Sequence, residues 1–261
     1  MRALSIAATG MLAQQTNVEV IVNNLANMNT TAYKMQRAEF QDLLYQNVER
    51  PGAASSDANT VLPSGIQIGV GVRTAAIYRI TGQGNLASTG NPYDVAIQGQ
   101  GYFRVTMPDG TDAYTRDGAF GLSPDGQIVT PKGFMVAPGI AVPQGALAVT
   151  INSQGQIQAV LAGEAEPQTL GQLELVRFAN DGGLQANGDN LFTETAGSGP
   201  ALAGLPGSPG YGSLQQGFLE TSNVNAVQEI TTLITAQRAY EMNSKVISAA
   251  DQMLDTTSRM S

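Results

Sequence analysis

Apolar side chains spaced alternately three and four residues apart mark both ends of this chain, and only a helix sets such positions on one face. Near the N-terminus the stripe runs Leu4, Ala7, Met11, Val18, Ile21, Leu25, Met28 over residues 3–28, with Gln14 as its one polar interruption. That is a heptad pattern. The β-branched run Val18, Val20, Ile21, Val22 lowers helix propensity but suits a packed seam. The C-terminal stretch carries two stripes. One is Leu233, Ala236, Tyr240, Ile247, Ala250 and Leu254, with Asn243 as its polar member; the other is Ala239, Met242, Val246, Ala249 and Met253. Thr221-Ser222-Asn223 offers N-cap candidates, Glu229 sits in the first turns, and no Gly or Pro occurs from 218 to 261. A helix with two apolar seams needs more than one neighbour. The expectation is that the two ends pair as a coiled coil and that other copies of the chain cover the rest. The interface candidates are Leu4, Met11, Val18, Ile21, Leu25, Leu233, Tyr240, Ile247 and Leu254. The plainer alternative is an intramolecular helical hairpin packed on the rest of the chain.

Between the ends the period shortens. Apolar runs at 66–72, 74–80, 94–97, 101–107, 148–151, 156–161 and 173–178 are split by glycine-rich turns. Asp-Gly pairs at 109–110, 117–118, 125–126 and 181–182 read as tight turns between strands. The fold class is therefore α+β: long terminal helices, with an antiparallel β domain of short strands between them. The expected division is 1–46 with 217–261 as a discontinuous helical domain, 47–75 as an extended arm or linker, 76–195 as the β domain, and 196–216 as a Gly/Pro-rich return linker. Residues 47–66 are rich in Ala, Ser, Pro, Gly and Asn and read as an arm.

Composition narrows the function. Charged residues are only 13% of the 261, glycine numbers 30, and the formal net charge is −8, against roughly 25% charged in ordinary soluble domains. Residues 51–214 hold six basic and twelve acidic side chains, so nucleic acid is not an expected partner. Cys, His and Trp are absent, which excludes thiol catalysis and removes the commonest general base. No apolar run reaches the length of a membrane span, so no direct membrane insertion is expected. Gln14, Gln15 and Asn17 interrupt any signal-peptide core. The aspartates at 109, 112, 117 and 125 lack an EF-hand spacing. Gly82-Gln83-Gly84 and Gly99-Gln100-Gly101 do not extend into a dinucleotide fingerprint and read as bulges or turns. The pair Glu164 and Glu166 reads as solvated loop charge. No catalytic, cofactor-binding or metal residue emerges, and the chain reads as a non-enzyme.

Asn23-Asn24-Leu25-Ala26-Asn27, continuing to Thr30-Thr31-Ala32-Tyr33-Lys34, resembles the N-terminal signature of the bacterial flagellar rod and hook family. Asn23, Asn24, Leu25, Ala26, Asn27, Tyr33 and Lys34 carry the likeness. Val22 stands where the family usually has Ala, and Ala32 where it usually has Gly, so Ala32 must tolerate positive φ or avoid it. Asp94-Val95-Ala96-Ile97, Gly99-Gln100-Gly101-Tyr102-Phe103 and Tyr114-Thr115-Arg116-Asp117-Gly118-Ala119-Phe120 are similar to the family's β domain. Gln216-Gly217-Phe218-Leu219-Glu220-Thr221-Ser222-Asn223-Val224-Asn225 and Gln237-Arg238-Ala239-Tyr240-Glu241-Met242-Asn243-Ser244-Lys245 resemble its C-terminal signatures.

Within the family, the chain length, Leu43-Leu44-Tyr45-Gln46, Pro51-Gly52-Ala53 and Leu62-Pro63-Ser64-Gly65 are most similar to distal-rod members; the arm positions Val61, Leu62, Pro63 and Ile66 make this segment too apolar for a free linker. Phe40-Gln41-Asp42-Leu43-Leu44, with Phe40 and Leu44 as its fixed points, resembles a short export motif.

The resemblance implies a structural subunit that polymerises helically into a rigid hollow drive shaft, transmits torque from motor to hook, and forms an export channel. Implied partners are copies of itself, proximal rod proteins, the hook protein, and the outer-membrane and peptidoglycan ring proteins. The implied location is the basal body across the periplasm, reached by the flagellar type III pathway without a cleaved signal peptide. No cofactor is implied. The alternatives are another rod or hook-type axial protein, or a secreted β-rich adhesin or hydrolase.

Overall fold

Two compact units share the chain: a helical unit (Met1–Ala26, Gln36–Arg79, Asn225–Ser261) and a β unit (Asn27–Met35, Ile80–Val224). The structure, a computed structural model, describes residues 2–49, 65–163 and 166–260. The arm residues Val61, Leu62 and Pro63, and Glu164, lie outside the described residues.

In the helical unit α1 spans Arg2–Ala26. Next come β1 (Gln36–Asp42), β2 (Tyr45–Glu49), β3 (Ile66–Gly69) and β4 (Val72–Arg79). The second helix, α2, spans Ala226–Met260. β1 pairs antiparallel with β4 from Gln36↔Arg79 to Asp42↔Val72, with a register shift at Glu39/Phe40. β2 pairs with β3 as a separate two-stranded ribbon.

The start of α2 differs from the expectation. The cap is Asn225, not Thr221-Ser222-Asn223. The backbone N–H groups of Val227 and Gln228 donate to Asn225 Oδ1 at 3.1 and 3.3 Å, satisfying two of the donors a helix N-terminus leaves open. Asn223 is committed elsewhere, to the N–H of Met35 and the carbonyls of Ile80 and Gly82.

The β unit is built from short antiparallel strands. Its centre is the hairpin Tyr102–Thr106 with Asp112–Thr115. Met135–Val136 and Leu175–Arg177 pair with the first of these strands, and Leu191–Thr193 pairs with the second. A three-stranded sheet joins Ala146–Ile151, Gln156–Leu161 and Gln168–Gln172. Within 196–216, Leu202–Gly204 pairs with Leu175–Arg177 and Ser213–Gln216 pairs with Val95–Gln98.

The two-residue alternation of a strand decides the packing. Phe103 points into a large cluster with Val95, Ile97, Phe120 and Leu175, where it meets Phe120 edge-on at 5.0 Å. Its neighbour Tyr102 points into a second cluster with Tyr114, Val176 and Phe178. There Tyr114 and Phe178 meet edge-on at 4.8 Å. The central hairpin is thus buried on both faces, each large side chain stabilising by about 1.5–3 kcal/mol.

Two of the four Asp-Gly pairs close hairpins, with Gly110 N donating to Met107 O and Gly126 N to Ser123 O. The other two do not. Gly118 lies against the backbone of Val95, whose N–H donates to Gly118 O at 3.0 Å. Asp181 and Gly182 sit in a one-turn 3₁₀ helix, Asp181–Gly183. A dipeptide specifies a tight bend, but its long-range partners decide what the bend joins.

Candidate assembly surface

The helices α1 and α2 touch along their length and run antiparallel. Asn24 near the end of α1 bonds Glu229 in the first turns of α2, with Nδ2 to Oε2 at 3.1 Å. Gly10, near the start of α1, faces Asn243 far along α2. A Cβ added at Gly10 would lie 2.9 Å from Asn243 Nδ2, so the missing side chain lets the helices approach closely here.

The inward line of α1 runs through Ala7, Ala13, Val20, Ile21 and Asn24, all buried. It shares Ala7 and Ile21 with the heptad stripe and is otherwise turned away from it: Leu4, Met11, Val18 and Leu25 are half-buried, and Met28, beyond the helix, is exposed. On α2 the inward line is Glu229, Ala236 and Ala250, with Leu233, Asn243 and Ile247 half-buried. Tyr240 is exposed and lines a groove with Val18. The second α2 stripe faces solvent: Met242 is 61% exposed, Val246 50% and Met253 62%.

A heptad of residues at 3.6 per turn drifts around the helix, which moves the contact line off a strict 3.5 repeat. At Gly10 the absent side chain lets the two backbones approach, while Leu4, Met11 and Val18 are half-buried.

α1 has 25 residues and α2 has 35, about 37 and 52 Å long at 1.5 Å per residue. The excess falls at the C-terminal end. Residues 251–259 are helical and exposed throughout, among them Met253 and Leu254 (43%).

The signature residues turn out to be fasteners. In the helical unit, Asn24 Oδ1 accepts from Gln36 N and Asn24 Nδ2 donates to Gln36 O, each at 2.8 Å. With its bond to Glu229, this side chain joins the end of α1, the start of β1 and the first turns of α2. Asn27 Oδ1 accepts from Thr30 Oγ1 at 3.1 Å in the turn that follows α1. Asn23 and Ala26 are exposed and Tyr33 is half-buried. Ala32 is buried and does take positive φ, at 57°.

In the β unit Lys34 reaches Glu220 at 2.5 Å, and Arg116 Nε reaches the other oxygen of the same carboxylate at 2.6 Å. Gly84 N donates to Glu220 as well, and the Arg116 guanidinium donates to the carbonyls of Ile97, Gly99 and Gly101. Burial pulls the Lys34 ammonium below its usual value, and the nearby Glu220 charge only partly offsets this. Burial alone would raise Glu220, but Arg116 and Lys34 together hold it below the usual carboxylate range. The two Gly-x-Gly motifs thereby gain a reason. A Cβ at Gly84 would sit 1.9 Å from Thr221 O, so only glycine brings this N–H to the carboxylate. Sequence reading placed Arg116, Glu220, Asn223 and Glu229 in motifs or helix turns without assigning their bonds. The available signal was charge scarcity: in a chain only 13% charged, a charge inside an apolar motif needs a partner.

Of the arm and export positions, Ile66 opens β3 and is half exposed, Phe40 is half-buried in β1, and Leu44, between β1 and β2, is 88% exposed. Among the described residues no three His, Cys, Asp or Glu side chains gather as metal ligands, and no helix is long and apolar enough to cross a membrane.

Three family patterns match the chain in order: flagella basal body rod protein over residues 4–34, flagellar hook protein FlgE/F/G D1 domain over 96–159, and flagellar basal body rod FlgEFG protein C-terminal over 215–260. Curated relatives match end to end. The flagellar basal-body rod protein FlgG of Caulobacter vibrioides is 57% identical, over 100% of this chain and 99% of its own. The FlgG of Agrobacterium fabrum is 52% identical over 99% of both, and that of Bacillus subtilis 40% identical over 97% of both.

Proposed function

The chain belongs to the flagellar basal-body rod protein family and is a structural subunit of the basal body, and from that premise we propose how its copies build a shaft. The family implies self-polymerisation and assembly with other rod and hook components. The subunit takes the distal-rod position, stacking helically into a rigid hollow tube that transmits torque to the hook and encloses an export channel. Its terminal helices pair in coiled-coil fashion, with the interface positions Leu4, Met11, Val18, Ile21, Leu25, Leu233, Tyr240, Ile247 and Leu254 at the seams between helices and between copies. The outer surface turns within the outer-membrane and peptidoglycan rings. The subunit crosses to the periplasm by the flagellar type III route, with Phe40 and Leu44 in its export motif. In the shaft the chain divides into a helical domain (1–46 with 217–261), an arm (47–75), a β domain (76–195) and a return segment (196–216).

One observation carries this reading: α2 is apolar on a face that α1 does not cover, and it outruns α1. An apolar helical face of this length marks a surface that another chain covers. Leu254→Asp in the overhang should abolish tubes by electron microscopy while leaving the β unit folded, because an unpaired carboxylate on a buried seam costs several kcal/mol. Tubes of normal length from that variant would refute the seam.

The arm, with Val61, Leu62, Pro63 and Ile66, stiffens the tube by bridging neighbouring copies. Deleting residues 47–66 should leave rods that assemble but bend. Straight rods from the deletion would reject the bridge.

A further inference from the structure

α2 divides its surface three ways beyond its midpoint. One side faces α1. A second carries Arg238, Glu241 and Lys245, with the Asp255–Arg259 ion pair further on. The third carries Met242, Val246, Ala249 and Met253, spaced four, three and four apart, exposed and uncharged. Its two ends are both methionines, at 61% and 62% exposure the most open among the methionines whose exposure is described. They are also chemically distinct from the rest of the stripe. Valine and alanine resist peroxides, whereas a thioether does not.

We infer that Met242 and Met253 form a peroxide-sensitive modification site that governs assembly of this subunit. The inference rests on the reading of this stripe as a seam between copies. The thioether sulfur attacks one oxygen of a hydroperoxide. The O–O bond breaks, an S–O bond forms, and the departing oxygen leaves as water or an alcohol after taking the peroxide proton. The sulfur is oxidised by two electrons and the peroxide reduced by two. The product sulfoxide is polar and accepts hydrogen bonds strongly. A stripe that was apolar end to end then carries a polar group at each end, and burying those groups without partners opposes association. Methionine sulfoxide reductase reverses the change, so the block is removable.

The test uses the full chain and hydrogen peroxide, with the oxidant removed before assembly is measured by sedimentation and electron microscopy. Peptide mapping should find sulfoxide at Met242 and Met253 ahead of the half-buried Met11, Met35, Met107 and Met135. Oxidised chain should need at least about tenfold more protein to form tubes, and reductase treatment should restore the original threshold. The double variant Met242→Leu with Met253→Leu, compared with its own untreated sample, should lose this sensitivity. Once the chain has assembled, the same two sulfurs should react markedly more slowly than in free subunits. If oxidised chain assembles at the untreated threshold, or if the leucine variant remains as sensitive as the parent, the modification site is refuted and the seam stands. If untreated chain forms no tubes at any concentration, the seam itself fails and this inference falls with it.

Discussion

Glu220 shows how much one buried charge holds. Its carboxylate takes Lys34 from 186 residues away and Arg116 from 104 residues away, and it also accepts the Gly84 N–H. Replacing it by Gln leaves two buried cations without a counter-charge, a change that costs about 3–5 kcal/mol. Urea unfolding followed by tyrosine emission should show that loss; an unshifted midpoint would remove Glu220 from this role. The pH dependence has a definite sign. Glu220 is held below its ordinary value, so its contribution is full above about pH 4.3 and is lost as pH falls through the lowered folded value. Asp117 and Asp181, raised by burial, bind protons more readily in the native state and act in the opposite direction. Wild-type stability should therefore fall more steeply than that of Glu220→Gln between about pH 5 and about pH 2. Ala32 makes a different point. It holds φ 57° while buried, so the backbone strain Gly would avoid is set against methyl burial worth about 0.8 kcal/mol. The two are close enough that this turn tolerates the exchange.

At the scale of elements, the α1–α2 contact turns on Gly10. Gly→Ala inside a helix gains about 0.8–1 kcal/mol in propensity. The added Cβ would press on the amide end of Asn243 at 2.9 Å, a side chain that can turn away. Gly10→Ala should thus leave thermal stability by circular dichroism unchanged or slightly raised. Gly10→Val adds two further carbons that Asn243 does not clear, and overpacking of that kind costs about 1–3 kcal/mol. The pair of variants separates a need for closeness from a need for glycine; equal losses in both would mean the backbone conformation, and not the space, is what matters.

Considered whole, the subunit is a low-charge chain whose second helix exposes an apolar stripe. Its polymer should behave accordingly. Apolar association near room temperature is driven by entropy and weakens on cooling. The protein concentration needed for tube formation should therefore rise as the temperature is lowered from about 37 °C to about 5 °C. A threshold that falls on cooling would point to polar or ionic contacts as the main force. The chain also returns to the helical unit with its C-terminal segment after making the β unit. Asn24, Gln36 and Glu229 meet there, so the first helix, the first strand and the last helix are fastened at one point.

What repeats locally was legible in the order of residues. Apolar positions at helical spacing gave two helices, glycine-punctuated short runs gave antiparallel strands, and ordered motifs at both ends gave the family. These follow from neighbours along the chain, so they can be read without a partner. The folded chain settles which stripe on α2 turns inward, that Gly10 is a point of close approach between the helices, and where the cap of α2 lies. It alone brought Lys34, Arg116 and Glu220 together. Those outcomes depend on competition for burial among segments far apart in sequence: a charge withdrawn from water needs its opposite nearby, and that partner is chosen by the folded path and not by the local pattern.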